Sequence, residues 1–130
     1  MKAYWDGSAV VEACASPILR ARLHRERGLT RTHTLAEVFS TLTGGNLAFR
    51  LDADSAAQTV ASLAADLEFH DLTAPEVLHA LKEARKKGVR GGRIHDYLHA
   101  VAAKKSGAKK LLTLDKNDFK DLTKVEIEQV

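Results

Sequence analysis

Residues 91–115 read GGRIHDYLHAVAAKKSGAKKLLTLD, and this order predicts one helix followed closely by one buried strand. Two glycines open the helix, and its apolar residues recur at the spacing of a core-facing helical face. Gly107 is placed to end the helix, and residues 111–114 form an apolar run that ends at Asp115. Asp96 falls in the predicted first turn, so the helix start and the strand end each carry a carboxylate.

Short apolar runs alternate with helical patterns along the rest of the chain. This alternation predicts an α/β fold, a three-layer α/β/α sandwich around a central, mainly parallel sheet. Two Thr-x-x-Glu segments, 34–37 and 73–76, have the spacing of a capping box and predict helix starts. Residues 47–51 are expected to form a connector. The predicted strands are residues 3–5, 29–33, 68–72, 111–114 and 124–130.

Length and composition indicate one folded domain spanning residues 1–130. The net charge is +3, and 45% of the residues are hydrophobic and 28% charged, an ordinary globular balance. Cys14 is the only cysteine, so no internal disulfide can form, and its apolar neighbours predict a small buried side chain rather than a nucleophile. We find neither a signal peptide nor a membrane-spanning run, and we expect a cytoplasmic protein.

Four acids lie at predicted junctions between elements. Asp6 and Asp115 end strands, while Glu37 and Asp96 lie in first turns of helices. In a parallel sheet all four would meet at one edge, where two unit charges 4 Å apart repel by about 4 kcal/mol. Such a cluster needs cations, and carboxylate oxygens favour Mg²⁺ or Mn²⁺. Each acid alone also has an ordinary explanation as a cap, a dipole partner or a turn residue.

Four motifs occur in order along the chain: Asp-x-Ser (Asp6, Ser8), Thr-x-x-Glu (Thr34, Glu37), Gly-x-x-x-Asp (Gly92, Asp96) and Thr-x-Asp-x-x-Asp-Phe (Thr113, Asp115, Asp118, Phe119). This ordered set resembles the PIN domain, and most of all the VapC-type toxin ribonuclease of toxin–antitoxin pairs. The resemblance covers nearly the whole chain.

The resemblance implies an endoribonuclease that hydrolyses RNA phosphodiester bonds with a water activated by Mg²⁺ or Mn²⁺. It implies that catalysis and metal binding fall to four acids, Asp6, Glu37, Asp96 and Asp115. The resemblance leaves open whether Asp118 shares or replaces the role of Asp115, and it implies polar support from Ser8 and Thr113. Gly7 departs from the family, which commonly has Thr there. A homodimer and a cognate antitoxin protein that blocks the site are also implied.

A basic segment, residues 82–93, leads into the predicted helix that carries Asp96. Its cations suit a helix C-terminus, where the dipole favours positive charge. They also suit an RNA backbone that approaches an acidic site. We expect RNA contacts from Lys86, Lys87, Arg90 and Arg93.

Three other functions remain as alternatives. His95-Asp96-x-x-His99 echoes the zinc peptidase motif, although it leaves Asp6, Glu37 and Asp115 unexplained. A receiver-like Mg²⁺-binding signalling domain would need paired acids after the first strand, where this chain has only Asp6. A PIN-like domain that binds RNA without cleaving it would not require all four acids.

Overall fold

The structure, a computed structural model, describes residues 2–44 and 50–130. The strands in these residues are β1 (Tyr4–Trp5), β2 (Gly28–Thr30), β3 (Leu67–Phe69), β4 (Lys110–Thr113) and β5 (Glu126–Gln129). The α-helices are α1 (Gly7–Ala15), α2 (Pro17–Glu26), α3 (His33–Gly44), α4 (Ala53–Ala64), α5 (Ala74–Lys86) and α6 (Arg93–Lys105). A 3₁₀ helix spans Lys116–Phe119.

The strands form one sheet in the order β3-β2-β1-β4-β5, and every neighbouring pair runs parallel. The carboxyl ends of all strands therefore lie along the same edge. The central strand β1 pairs through Tyr4 with Leu29 of β2 and Leu111 of β4. The last strand lies at an edge of the sheet.

Helices cover both faces of the sheet. Successive strand residues point to opposite faces, so each face carries apolar side chains that pack against helices. Tyr4 and Leu111 are buried with side chains of α5 and α6. Trp5 and Leu112 are buried with side chains of α1, α2, α3 and α4. These two cores confirm the predicted α/β/α sandwich with a parallel sheet.

Local signals place several helix ends correctly. Ser16 caps α2 with its hydroxyl, and Pro17 is the first residue of that helix. Thr73 and Glu76 form a complete capping box at the start of α5. Gly107, just past α6, has a φ of +76°, a conformation that glycine adopts without steric cost.

The capping box predicted at Thr34–Glu37 is wrong. Helix α3 begins at His33, so Thr34 lies inside the first turn and Glu37 lies one turn further along. The buried Thr34 hydroxyl lies 2.7 Å from the Thr30 hydroxyl. The Glu37 carboxylate instead forms a hydrogen bond with His99 of α6. A side chain distant in sequence thus takes the place of the local backbone amide as its partner.

The prediction that Cys14 is buried is also wrong. Helix α1 turns Ala9, Val10 and Ala13 inward and leaves Cys14 exposed. Partial burial still raises the pKa of its thiol, which disfavours the reactive thiolate.

The predicted connector at 47–51 lies partly outside the described residues. Only its last two residues, Arg50 and Leu51, are described. Among the residues that the structure describes, no helix has both the length and the apolar character to cross a membrane.

Candidate active site

Asp6 lies where β1 gives way to α1, at the centre of the sheet edge. Its side chain is 4% exposed, and Oδ1 accepts hydrogen bonds from the Ala9 amide at 2.8 Å and the Ser8 hydroxyl at 2.7 Å. The Ala9 bond caps α1, since the first amides of a helix lack partners within it. The Asp-x-Ser sequence thus builds a fixed, buried carboxylate at a helix start.

Thr113, the last residue of β4, holds the other oxygen of the same carboxylate. The Thr113 hydroxyl donates to Asp6 Oδ2 at 2.7 Å and lies 3.2 Å from the Ser8 hydroxyl. Ser8 also accepts a hydrogen bond from the Leu114 amide at 2.9 Å. Both residues predicted to give polar support therefore contact or orient Asp6, across the pairing of β1 with β4.

Glu37 approaches the edge from α3 and lies in a cationic environment. Its Oε1 is 2.7 Å from Nε2 of the buried His99, whose Nδ1 is 2.8 Å from the Tyr4 hydroxyl. Burial would raise the pKa of Glu37, but the His99 hydrogen bond and the charges of His99, His33 and Arg31 lower it below its ordinary value. Glu37 is accordingly an ionised carboxylate at neutral pH.

Asp96, in the first turn of α6, lies in the opposite environment. Burial and the nearby charges of Asp118, Asp6 and Glu37 raise its pKa to about 6, against a smaller lowering effect of His99. Carboxylates within this reach disfavour one another's ionisation. Asp96 on α6 therefore lies within reach of the negative charges of acids from β1, α3 and the 3₁₀ helix.

The two acids that follow β4 occupy different surroundings. Asp115 is exposed, and its carboxylate accepts from the Asn117 amide at 2.9 Å as the cap of the 3₁₀ helix. Burial and the charges of Asp115 and Asp6 raise the pKa of Asp118, and Arg93 partly opposes this. Asp118, rather than Asp115, is thus the acid whose charge reaches Asp96.

Sequence reasoning missed the cations around Glu37. Arg31 is 8% exposed, and its Nε and Nη2 are buried without a hydrogen-bond partner in the described part of the chain. The rings of His33 and His95 stack with centroids 5.8 Å apart on the exposed side. Neither feature has a local sequence signal, because the two rings come from α3 and α6 and the burial of Arg31 depends on the folded chain. His99 was considered only as a zinc ligand, yet both its ring nitrogens are engaged by protein groups.

The donor chemistry of this edge fits a hard divalent cation. Its acids offer carboxylate oxygens, and their mutual repulsion would be relieved by positive charge. Within residues 2–44 and 50–130, no three His, Cys, Asp or Glu side chains gather tightly enough to form a ready-made metal cage. Mg²⁺ commonly keeps several of its waters and binds through one or two carboxylates, so the looser arrangement fits such an ion.

The basic segment runs from the C-terminal part of α5 to Arg93, the first residue of α6. The four residues predicted to bind RNA are all exposed, namely Lys86, Lys87, Arg90 and Arg93. Lys86 pairs with Glu83 at 3.3 Å, and Arg93 donates to the Lys120 carbonyl at 2.7 Å. Lys87 and Arg90 make no ion pair among the described residues.

The family model of the PIN domain matches residues 3–125. The chain belongs to the PIN domain family. No curated protein matches the chain.

The PIN domain family is one of nucleases that act on RNA or DNA and generally use divalent metal ions. The matched residues include every acid that the sequence analysis selected. The match is to the PIN domain and not to the zinc peptidase or receiver alternatives.

Proposed function

We propose that residues 1–130 act as one metal-dependent endoribonuclease domain of the VapC type, the toxin of a toxin–antitoxin pair. The observation that carries the proposal is the PIN match together with Asp96 and the three acids whose charges act on it. These acids are Asp6, Glu37, Asp96 and Asp118.

Mg²⁺ or Mn²⁺ would be held directly by one or two carboxylates of the set Asp6, Glu37, Asp96 and Asp118 or Asp115, and through its waters by the others. When bound, such ions supply an activated water and stabilise the leaving oxygen in phosphodiester hydrolysis. This role requires fixed carboxylates, and Asp6 has that property because Thr113 and Ser8 hold both of its oxygens.

The chain's own residues divide the remaining tasks. Lys87 and Arg90 can pair with RNA phosphates without breaking an existing ion pair, which suits backbone binding independent of sequence. Asp96 ionises at a pKa of about 6 in the metal-free protein, so its carboxylate is available to a cation at neutral pH. The acidic centre and the basic segment then act on the metal and on the RNA backbone respectively.

Protein partners form the second part of the proposal. Leu78 and Leu81 on α5 are 62% and 45% exposed and lie three residues apart on one face. A second copy of the chain or the antitoxin would cover such side chains. The homodimer, the antitoxin and the cytoplasmic location stay predictions.

Cleavage of labelled RNA and DNA with Mg²⁺, Mn²⁺ or EDTA tests the activity. We expect metal-dependent cleavage of RNA by the wild type, loss of cleavage in Asp6→Asn, and normal cleavage in Asp54→Asn, a matched change at an exposed acid of α4. RNA that is bound but not cut under every metal condition would instead favour a PIN-like binding domain. Cleavage confined to DNA would overturn the ribonuclease proposal.

A further inference from the structure

His99 joins two buried or half-buried groups that the chain brings from distant positions. Its ring is 2% exposed and lies between the Tyr4 hydroxyl, 2.8 Å from Nδ1, and Glu37 Oε1, 2.7 Å from Nε2. Tyr4 belongs to the central strand, Glu37 to α3 and His99 to α6. The contact therefore ties both helical layers to the sheet at the proposed metal edge.

The hydrogen-bond network assigns one proton on the His99 ring. An ionised carboxylate can only accept, so His99 Nε2 carries a hydrogen and donates it to Glu37. The Tyr4 hydroxyl, which can donate or accept, holds the ring at Nδ1. Glu37 thus selects Nε2 as a donating nitrogen, and Tyr4 fixes the orientation of the ring from the opposite side.

The network leaves one oxygen of Glu37 available. His99 holds Oε1, whereas Oε2 makes no hydrogen bond to any described residue. A glutamate side chain has several rotatable bonds, and freezing it costs free energy that a buried donor can offset. Asp96 lies three residues before His99 on the same helix, so α6 carries both a proposed ligand and the group that orients another.

We propose that His99, locked by Tyr4, is a positioning residue that presents Glu37 Oε2 to the catalytic metal ion. The inference rests on the proposed function, since it assigns Glu37 a role as ligand. It differs from a purely structural histidine, which would stabilise the fold but leave metal affinity unchanged. Outer partners of metal-binding carboxylates commonly contribute about 10- to 100-fold in affinity.

The test measures Mn²⁺ binding to the protein alone, by calorimetric titration without RNA. His99→Leu removes the donor to Glu37, His99→Gln keeps an amide donor at a similar reach, and Tyr4→Phe removes a single oxygen atom. His79→Leu, at an exposed histidine of α5, is the matched control. Circular dichroism establishes that each variant is folded, and Tyr4→Phe and His99→Gln carry the test if His99→Leu does not fold.

We expect His99→Leu to weaken Mn²⁺ binding about 10- to 100-fold, His99→Gln to restore part of the loss, and Tyr4→Phe to weaken binding less. RNA cleavage by His99→Leu should recover at high Mn²⁺ concentration, whereas Glu37→Gln should not recover. Long-range ¹H–¹⁵N spectra should show a hydrogen on His99 Nε2 in the wild type and in Tyr4→Phe, because the Glu37 carboxylate accepts it in both.

Two outcomes overturn the inference, and they are distinguishable. Folded His99 and Tyr4 variants that bind Mn²⁺ as tightly as the wild type would make His99 a structural residue while leaving the nuclease proposal intact. A wild type that neither binds Mn²⁺ nor cleaves RNA would remove the proposed function and the inference together.

Discussion

Thr113 donates a hydrogen bond of 2.7 Å to Asp6 and so joins the ends of two neighbouring strands through side chains. Thr113 is fully buried, and Asp6 is 4% exposed. One oxygen of the Asp6 carboxylate therefore caps α1, and Thr113 of β4 fixes the other. Its orientation depends on the strand pairing as well as on its own helix.

Thr113→Val should destabilise the protein and impair cleavage. The change keeps the side-chain shape but removes the donor to a buried carboxylate, which costs about 1–3 kcal/mol in the free energy of unfolding. Thr59→Val removes a hydroxyl that bonds only within α4, and we expect an effect within about 0.5 kcal/mol. Urea denaturation of both variants gives the comparison, and equal losses would contradict the special role of Thr113.

Asp96→Asn should alter how stability depends on pH in the metal-free protein. The pKa of Asp96 is raised from 3.8 to about 6 in the folded protein. Protonation of Asp96 therefore favours the folded state fully below pH about 4, and this contribution to stability is lost as pH rises through about 6. The shift corresponds to at most about 3 kcal/mol. Asn cannot ionise, so Asp96→Asn should gain stability relative to the wild type over that range.

Urea denaturation in EDTA at several pH values between 4 and 7 measures this difference directly. Effects of other titrating groups largely cancel when the two proteins are compared at the same pH. A difference that stays constant across the range would show that burial and neighbouring charges do not raise the pKa of Asp96 in the folded protein.

Asp118→Asn should weaken Mn²⁺ binding more than Asp115→Asn does. The charge of Asp118 acts on Asp96, whereas Asp115 caps the 3₁₀ helix, a role that Asn also fills. Parallel calorimetric titrations of the two variants check the order. The reverse order would assign the metal to Asp115 instead.

Charge reversal at Lys87 and Arg90 should weaken RNA binding for every sequence and flatten its dependence on salt. Each lost phosphate contact lowers the slope of log K against log salt by about 0.7 for single strands. Reversal at Arg25 and Lys109, exposed cations elsewhere, is the matched control. A slope that is equal in both double variants would show that the basic segment is only a solvated helix end.

Gly7→Ala should stabilise the protein, whereas Gly28→Ala should destabilise it. A Cβ atom at Gly7 would meet Glu37 Cβ at 3.4 Å, an ordinary contact, while one at Gly28 would lie 2.6 Å from Trp5 Cδ1. Gly→Ala at a compatible helical site gains about 0.4–1 kcal/mol. Thermal melts of both variants decide the point, and a destabilised Gly7→Ala would indicate that the departure from the family's usual Thr protects Glu37.

The sequence by itself determined the alternation of strands and helices, the parallel sheet and the family. These features depend on local periodicity and on signals such as Ser16-Pro17, Thr73-x-x-Glu76 and Gly107, which act over a few residues. The acids after β1 and β4 and in the first turn of α6 were also predictable, since parallel strands bring their carboxyl ends to one edge.

Only the tertiary structure decided how those acids are held and how they differ. Thr34-x-x-Glu37 has the letters of a capping box, yet His99, 62 residues away, binds Glu37. The Thr34 amide already donates to the Arg31 carbonyl, whereas a buried His99 without a hydrogen bond would cost free energy. The contrast between Asp115 and Asp118 also arises in the folded chain, where Asp115 caps the 3₁₀ helix and the charge of Asp118 reaches Asp96.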